Sequence, residues 1–494
     1  MAEQSNNTAV AKEERTLVRG IRPWHVSLIA IGGIIGSCYF LGSGWTIKEL
    51  GPAIMIAYII GGIVIYAVMQ SFAELLVNVP RRGSFVSYCK EFIGESFACG
   101  AGWAYWINWV GYVPAEAVAC GIMMSTFVPF KGSVMVYSII ALALITLVNV
   151  YHVTWFGHIE SILALLKVFA IVLFSGCAIL IIFGVIGGEP IGFSIIYNPE
   201  LGWYKSFFPN GSWIVVTTMV MILVNFQGSE IVGLAAAETQ DPERNIPLAC
   251  KRVAYRMIFI YVIPLFLLVM ILPYENAHLE DSVFSMALAM YGLKWAAGFF
   301  SVIVIVAAFS CANSGVYGTA RALYGLASEG LAPKIFLRLN RYNTPQIATI
   351  FTVVPCWFFI PLAYYFGEGA FYTMILGMAG FTGSVCWGGI IAAQLNMRRK
   401  LKQRGYDPKE VLTVKAQLNP VLPALGLTVI VIGLLFMAFQ ADLFSAFIFS
   451  VVWTGGPMLV YVIMRKMGKV RSVRSLGADE VAFDDKFPPK NLVK

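Results

Sequence analysis

The chain has 494 residues, of which 59% are hydrophobic and 13% charged, with a mean hydropathy of +0.75, a balance no soluble globular domain keeps in water. Its net charge of +8 would suit nucleic acid if it were clustered on a soluble domain, but the basic residues flank apolar runs, which points to a membrane surface and no nucleic-acid partner.

Residues 1–23 are polar and carry both signs of charge, without the apolar core and cleavage site of a signal peptide, so they are expected to form an N-terminal tail. A hydrocarbon core of about 30 Å needs about 20 apolar residues per crossing. Twelve runs meet this, at 24–47, 52–76, 97–128, 133–151, 159–186, 213–238, 254–273, 295–325, 346–366, 371–397, 421–440 and 443–464. The pattern predicts an all-α integral membrane protein of about 12 spans. Two amphipathic stretches between spans, from Pro80 to Glu95 and from Leu326 to Leu339, read either as short helices on the membrane surface or as plain loops. The tail from Arg465 mixes both signs of charge without an apolar period and is expected to be solvated.

Lys and Arg are retained preferentially on the cytoplasmic side. One side collects 30 of the 35 basic residues, and the other holds Lys48, Lys131, Lys205 and Lys294. Both termini are therefore expected in the cytoplasm, with the protein in the cytoplasmic membrane. The nine cysteines fall in apolar runs or on the expected cytoplasmic side, which does not support an extracellular disulfide framework. The four histidines are scattered and show no metal spacing, so neither a metal nor a cofactor is expected.

Two spans contain breaks at matching depth. Span one has Gly32, Gly33 and Gly36 near its centre; span six carries Val224-Asn-Phe-Gln-Gly-Ser-Glu230. Interrupted helices at equivalent positions in two halves point to a transporter built from inverted repeats, with its substrate site between them. Alone, Gly32 and Gly36 also read as a small-residue helix-packing pair. Freed N–H groups bind a carboxylate and freed C=O groups an ammonium, so such a site suits a zwitterion. The carboxylate is expected at Gly36, Ser37, Cys38 and Tyr39 with Gly228 and Ser229 nearby, and the ammonium at the carbonyls of Ile34, Val224 and Gln227. Phe226 reads either as an aromatic gate or as packing.

At these residues the chain resembles bacterial amino-acid permeases of the amino acid-polyamine-organocation superfamily, especially the branch of lysine and aromatic permeases. The resemblance rests on Ile29-Ala-Ile-Gly-Gly, Phe72-Ala-Glu-Leu, Gly83-Ser-Phe, Gly102-Trp-Ala-Tyr-Trp, Phe226-Gln-Gly-Ser-Glu, Asp241-Pro-Glu-Arg-Asn-Ile-Pro, Asn313-Ser-Gly, Arg321-Ala-Leu-Tyr and Gly330-Leu-Ala-Pro. It implies a five-plus-five inverted repeat (LeuT-like) with discontinuous helices one and six, alternating access, and import of an amino acid by proton symport. The implied organisation is a first repeat at 24–186, an extracellular loop at 187–212, a second repeat at 213–397, a cytoplasmic loop at 398–420, two further spans at 421–464 and a cytoplasmic tail at 465–494. Where relatives usually continue Gly-Thr-Gly-Leu-Phe, this chain has Gly36-Ser-Cys-Tyr-Phe; the bulk of Cys38 and Tyr39 beside the pocket is expected to alter substrate choice.

Lys167, inside span five, is expensive in lipid and needs a task. The resemblance matches it to a lysine of proton-coupled relatives, with Ser310 and Ser314 as expected neighbours; the alternative is a lysine snorkelling to the interface. Glu116 and Glu230 are the other acids expected well inside spans and join Lys167 as proton-coupling candidates, Glu116 also reading as a structural group beside Pro114. Glu74 and Glu238, at span ends, are expected to pair with arginine, and Asn225 and Asn313 to bridge helices. No nucleophile elbow, zinc-protease helix or phosphate loop occurs, so an enzyme is not expected. An exchanger, a nutrient sensor or a membrane enzyme stand as alternatives. The expected partners are an amino acid, a proton and membrane lipid, with the chain acting as a monomer.

Overall fold

The computed structural model describes residues 34–81, 84–151, 156–231, 247–248, 250, 258–278, 281–340, 344–470 and 482–490. The tail at 1–23, Gly32 and Gly33 of span one, Glu238 and most of the Asp241 to Pro247 motif lie outside them.

Among the described residues there is no strand, and nine helical stretches are long and apolar enough to cross a bilayer. The chain is thus an all-α, multi-pass membrane protein. The first stretch, Cys38–Asn78, has 41 residues; as one straight helix it would run about 60 Å, twice the hydrocarbon thickness. It turns instead at Gly51, whose φ of +56° favours glycine, and at Pro52. Before the turn come a π-helical turn Cys38–Gly42 and α1, Ser43–Leu50; after it comes α2, Ile54–Asn78.

The elements that matter next are α3 (Ser84–Phe92), α4 (Glu95–Phe127), α5 (Ser133–Tyr151) and α6 (Phe156–Ile182). They are followed by the short α7 (Met219–Val224), α8 (Ile263–Ile271), α9 (Val283–Met290) and the long α10 (Lys294–Ser328). Four more helices complete the bundle: α11 (Gln346–Phe366), α12 (Glu368–Gln403), α13 (Val421–Phe436) and α14 (Ala441–Lys466). Every run expected to span contains helix, although the described helix in the first, sixth and seventh runs is shorter than a full crossing.

Inner and outer helices differ in what covers them. Buried residues make up 89% of the most apolar window of Glu368–Gln403 and 11% of that of Ala441–Lys466, so α12 is an inner wall and α14 turns its side chains to lipid. Helix α4 packs extensively on α10, α5, α12 and α14 and forms the axis of the bundle. In α6 the buried positions Glu160, Ala164, Lys167, Ile171, Phe174 and Ala178 recur at three- and four-residue spacing, while Ile162, Leu165, Phe169 and Val172 are exposed. That stripe aims Glu160 and Lys167 at the same interior.

Four details at the helix ends bear on the sequence reading. The first amphipathic stretch does form a helix, α3, but its Phe85, Tyr88 and Cys89 are buried. The second does not: α10 runs on to Ser328, and Gly330, with φ of +75°, and Pro333 leave only the turn Lys334–Leu337. The tail is not wholly solvated either. Phe483 and Phe487, in and just after the turn α15 (Phe483–Lys486), are buried, with Phe483 against Phe92 and beneath the Arg404 guanidinium. Lys486 Nζ donates to the Asn78 carbonyl at 2.8 Å and Phe483 N–H to Glu91. Aromatic burial outweighs the charge of the surrounding segment. Glu74 meets the expected arginine, as Arg398 grips its fully buried carboxylate through Nε and Nη2 at 2.7 and 2.5 Å.

Candidate functional site

The first break is local. Helical geometry lapses at Ile35 and Gly36 and resumes at Ser37, which frees the carbonyls before the gap and the amide after it. The Ser37 N–H donates to both carboxylate oxygens of Glu116, at 3.2 Å to Oε1 and 3.0 Å to Oε2. Glu116 reaches it from α4, two residues past Pro114. Gly36 makes this approach feasible: a Cβ there would lie 2.4 Å from Glu116 Oε1 and 2.8 Å from Cys311 Sγ. The hydroxyls of Ser37 and Tyr372 share a hydrogen bond of 2.7 Å.

The carbonyls of the break are also engaged. Tyr261 Oη donates to the Ile34 carbonyl at 3.1 Å, and Lys167 Nζ donates to the Ile35 carbonyl at 2.9 Å. Lys167 further donates to Ser310 Oγ at 2.7 Å, and the Ser310 hydroxyl donates to Glu160 Oε1. Lys167 and Glu160 are both fully buried. The lysine does not snorkel to an interface; it holds the break in span one.

The second break spans residues 225–230, which form turns rather than helix. Gly228 sits at φ +95°, a conformation strained for any residue with a side chain. Its N–H donates to Glu230, at 3.2 Å to Oε1 and 3.1 Å to Oε2. Tyr105 Oη and Trp387 Nε1 complete the shell of that carboxylate at 3.2 Å each. Gln227 is clamped between Asn108, which donates to its Oε1 at 3.1 Å, and the Ala379 carbonyl, to which its Nε2 donates at 2.5 Å. The Val224 carbonyl accepts from the Gln227 N–H at 3.1 Å inside the turn. Ser229 Oγ is buried without a hydrogen-bond partner among the described residues.

Aromatic rings join the two breaks. Tyr261, on the π-helical turn Ile258–Val262, packs edge-on to Tyr39 at 4.5 Å and tilts against Phe226 at 5.1 Å. Tyr39 donates its hydroxyl to the Ile260 carbonyl at 2.7 Å, and Cys38 beside it is buried. Phe226 closes against Tyr58 and over Gly61, where a Cβ would lie 2.7 Å from its ring.

The candidate residues thus fall into one buried region with three anchors. Ile35, Gly36 and Ser37 gather Glu116 and Lys167, with Ile34 held by Tyr261; Gln227, Gly228 and Glu230 gather a separate polar shell; Tyr39 and Phe226 meet through Tyr261. Asn313 bridges helices as expected by accepting from Asn149, whereas Asn225, in the turn after α7, donates its side-chain amide, among the described residues, to Met221 of that preceding helix, at 3.0 Å. Sequence reasoning missed Tyr261, Tyr372, Tyr105, Trp387 and above all Glu160. Glu160 carried a signal in its seven-residue spacing from Lys167 on one helix face, and Tyr105 lay inside the Gly102-Trp-Ala-Tyr-Trp motif.

A family model described as amino acid permease matches residues 25–471. The chain is 33% identical to the amino-acid permease RocC of Bacillus subtilis over 433 residues, covering 86% of this chain and 90% of that one. It is 32% identical to the lysine-specific permease LysP of Escherichia coli, covering 86% and 88%. Among solved structures it shares its fold with a manganese transporter of Eremococcus coleocola, at a TM-score of 0.53 and 13% identity, covering 93% of this chain and 99% of that one.

Proposed function

This chain belongs to the amino acid permease family and is a secondary transporter of small polar solutes rather than an enzyme; from that premise we propose that it imports an amino acid with a proton, by alternating access around the two breaks. The observation that carries this reading is the carboxylate of Glu116 on the Ser37 amide. The broken span has the donor geometry for a carboxylate, and the chain itself supplies one. A substrate carboxylate takes that place, with the substrate ammonium meeting the carbonyls of Ile34, Val224 and Gln227. The residues around it, Gly36, Ser37, Cys38, Tyr39, Phe226, Gly228 and Ser229, line or close the site.

The exchange of one carboxylate for another supports proton coupling. Ionised Glu116 would repel the incoming substrate, so a proton on Glu116 and substrate at Ser37 favour one another. Lys167, bonded to the adjacent Ile35 carbonyl, senses the same break, and a change in its protonation alters the hold on span one. Glu230, with its own shell of donors, takes a supporting part by shaping the second break. The names of the relatives, an amino-acid and a lysine-specific permease, support an amino acid as solute. The two breaks also support the five-plus-five inverted repeat, and the one-sided basic residues support cytoplasmic termini.

The test is uptake into proteoliposomes across the twenty amino acids, with an inward proton gradient and with a protonophore. The reading predicts saturable accumulation of at least one amino acid, unaltered chemically, that collapses with the protonophore. Accumulation indifferent to the protonophore would remove proton symport, and chemical conversion would favour an enzyme.

A further inference from the structure

Glu160 lies outside the set of groups assigned above, yet it is buried at 0% exposure and joined to Lys167 through one hydroxyl. The sense of the two bonds follows from chemistry. An ammonium can only donate and an ionised carboxylate can only accept, so Ser310 Oγ accepts from Lys167 at 2.7 Å and gives its own hydrogen to Glu160. Every bond points from the amine toward the acid. Glu160 Oε2 is buried with no hydrogen-bond partner among the described residues.

Position adds direction. Glu160 stands seven residues before Lys167, about 10 Å nearer the start of α6 along its axis, in the first turns after Phe156. The cationic Lys167 faces Glu160 of its own helix, Cys311 of α10 and Glu116 of α4. Of these, Glu160 is the acid linked to it through a serine that donates onward.

We propose that Glu160 is a proton-relay residue that takes the coupling proton from Lys167 through Ser310. The inference rests on the proton-symport reading given above. In the step, an N–H bond of the Lys167 ammonium breaks as an O–H bond forms on Ser310. The original Ser310 O–H breaks as an O–H forms on Glu160. One proton has moved; the lysine is left a neutral amine, the serine a hydroxyl and the glutamate a neutral acid, with no further reactant. Both charges vanish together, which removes an ion pair from the membrane interior as the break at Ile35 changes its hold. A serine rather than water bridges the two groups, so the path stays fixed when solvent is excluded.

The experiment uses the full chain in proteoliposomes and reads two quantities, accumulation driven by a proton gradient and counterflow without one. Glu160→Gln keeps an acceptor for Ser310 but holds no exchangeable acid proton; gradient-driven accumulation should fall at least tenfold while counterflow stays within about twofold. Ser310→Ala, which leaves both charged groups in place, should show the same split, and Ser310→Thr and Glu160→Asp should restore accumulation. Wild-type accumulation in Glu160→Gln, or loss of counterflow in Glu160→Gln with Ser310→Ala unaffected in both quantities, would overturn the relay and leave Glu160 a fixed countercharge. If the wild-type protein ignores the proton gradient altogether, the symport reading falls and takes the relay with it.

Discussion

Glu116 rests both oxygens of its carboxylate on the amide nitrogen of Ser37, at 3.0 and 3.2 Å, across a gap that Gly36 keeps open. A group fixed to the protein therefore occupies the place proposed for the carboxylate of a mobile solute. Binding becomes a competition between the two, and its strength depends on how firmly the resident group is held.

Neutralising the competitor should favour the solute. A hydrogen bond to a charged acceptor exceeds one to a neutral acceptor by about 1 to 2 kcal/mol, so Glu116→Gln should bind substrate roughly tenfold more tightly. Equilibrium binding of a labelled amino acid in detergent checks this, alongside a fall in gradient-driven uptake. Weaker binding in the variant would show that Glu116 helps to hold the solute instead of competing with it.

Gly36 and Gly176 make a matched pair. An added methyl at Gly36 would collide with Glu116 and Cys311, whereas at Gly176 it would meet nothing within 4 Å. Overpacking costs about 1 to 3 kcal/mol, so Gly36→Ala should reduce transport by about fivefold or more. Gly176→Ala, which replaces a poor helix former with the best one, should leave transport unchanged and stabilise the helix by up to about 1 kcal/mol. Initial uptake rates and melting temperatures of the two variants, purified side by side, check both outcomes; equal transport would remove the steric argument.

The Glu74 carboxylate is fully buried and depends on Arg398, Gln394 and the Ala416 amide. Arg398→Ala leaves that charge unneutralised, a loss of about 3 to 5 kcal/mol for a buried pair broken on one side. The thermal midpoint in detergent should fall, and the double variant Arg398→Ala with Glu74→Gln should recover part of it. An unchanged midpoint in the single variant would mean that water or lipid headgroups reach the site.

Phe483 anchors the tail against Phe92 and Arg404. Truncating a buried phenylalanine costs about 3 kcal/mol or more, more than a nine-residue segment with few other apolar contacts can lose and stay docked. Phe483→Ala should expose Lys486 to trypsin at a rate at least tenfold above wild type, read by mass spectrometry of the released peptide. Identical protection would place the anchoring energy in the bonds of Arg404 and Lys486.

Much of this architecture is legible in the sequence because lipid permits few alternatives: apolar runs long enough to cross become helices, and glycine-rich interruptions with polar neighbours become breaks. Lys167 stood out for the same reason, since an ammonium within an apolar run is conspicuous. Glu160 escaped notice because it lies one residue inside the expected start of span five at 159, where an acid reads as an interfacial group; only the packing of α10 reveals that it is covered. Tyr261 and Tyr372 were invisible for a different reason. A tyrosine in an apolar helix looks like packing until its hydroxyl is seen on a specific partner, Ile34 for one and Ser37 for the other. The occupied state of the Ser37 amide depends on α4 lying beside span one, a long-range relation that no local pattern encodes.

The docked segment 482–490 fastens together three places far apart in the chain: Asn78 at the close of α2, Glu91 in α3 and Arg404 just past α12. During synthesis those places leave the ribosome long before it does. The contacts that close this face of the bundle therefore form last, between a late-made segment and three sites laid down earlier.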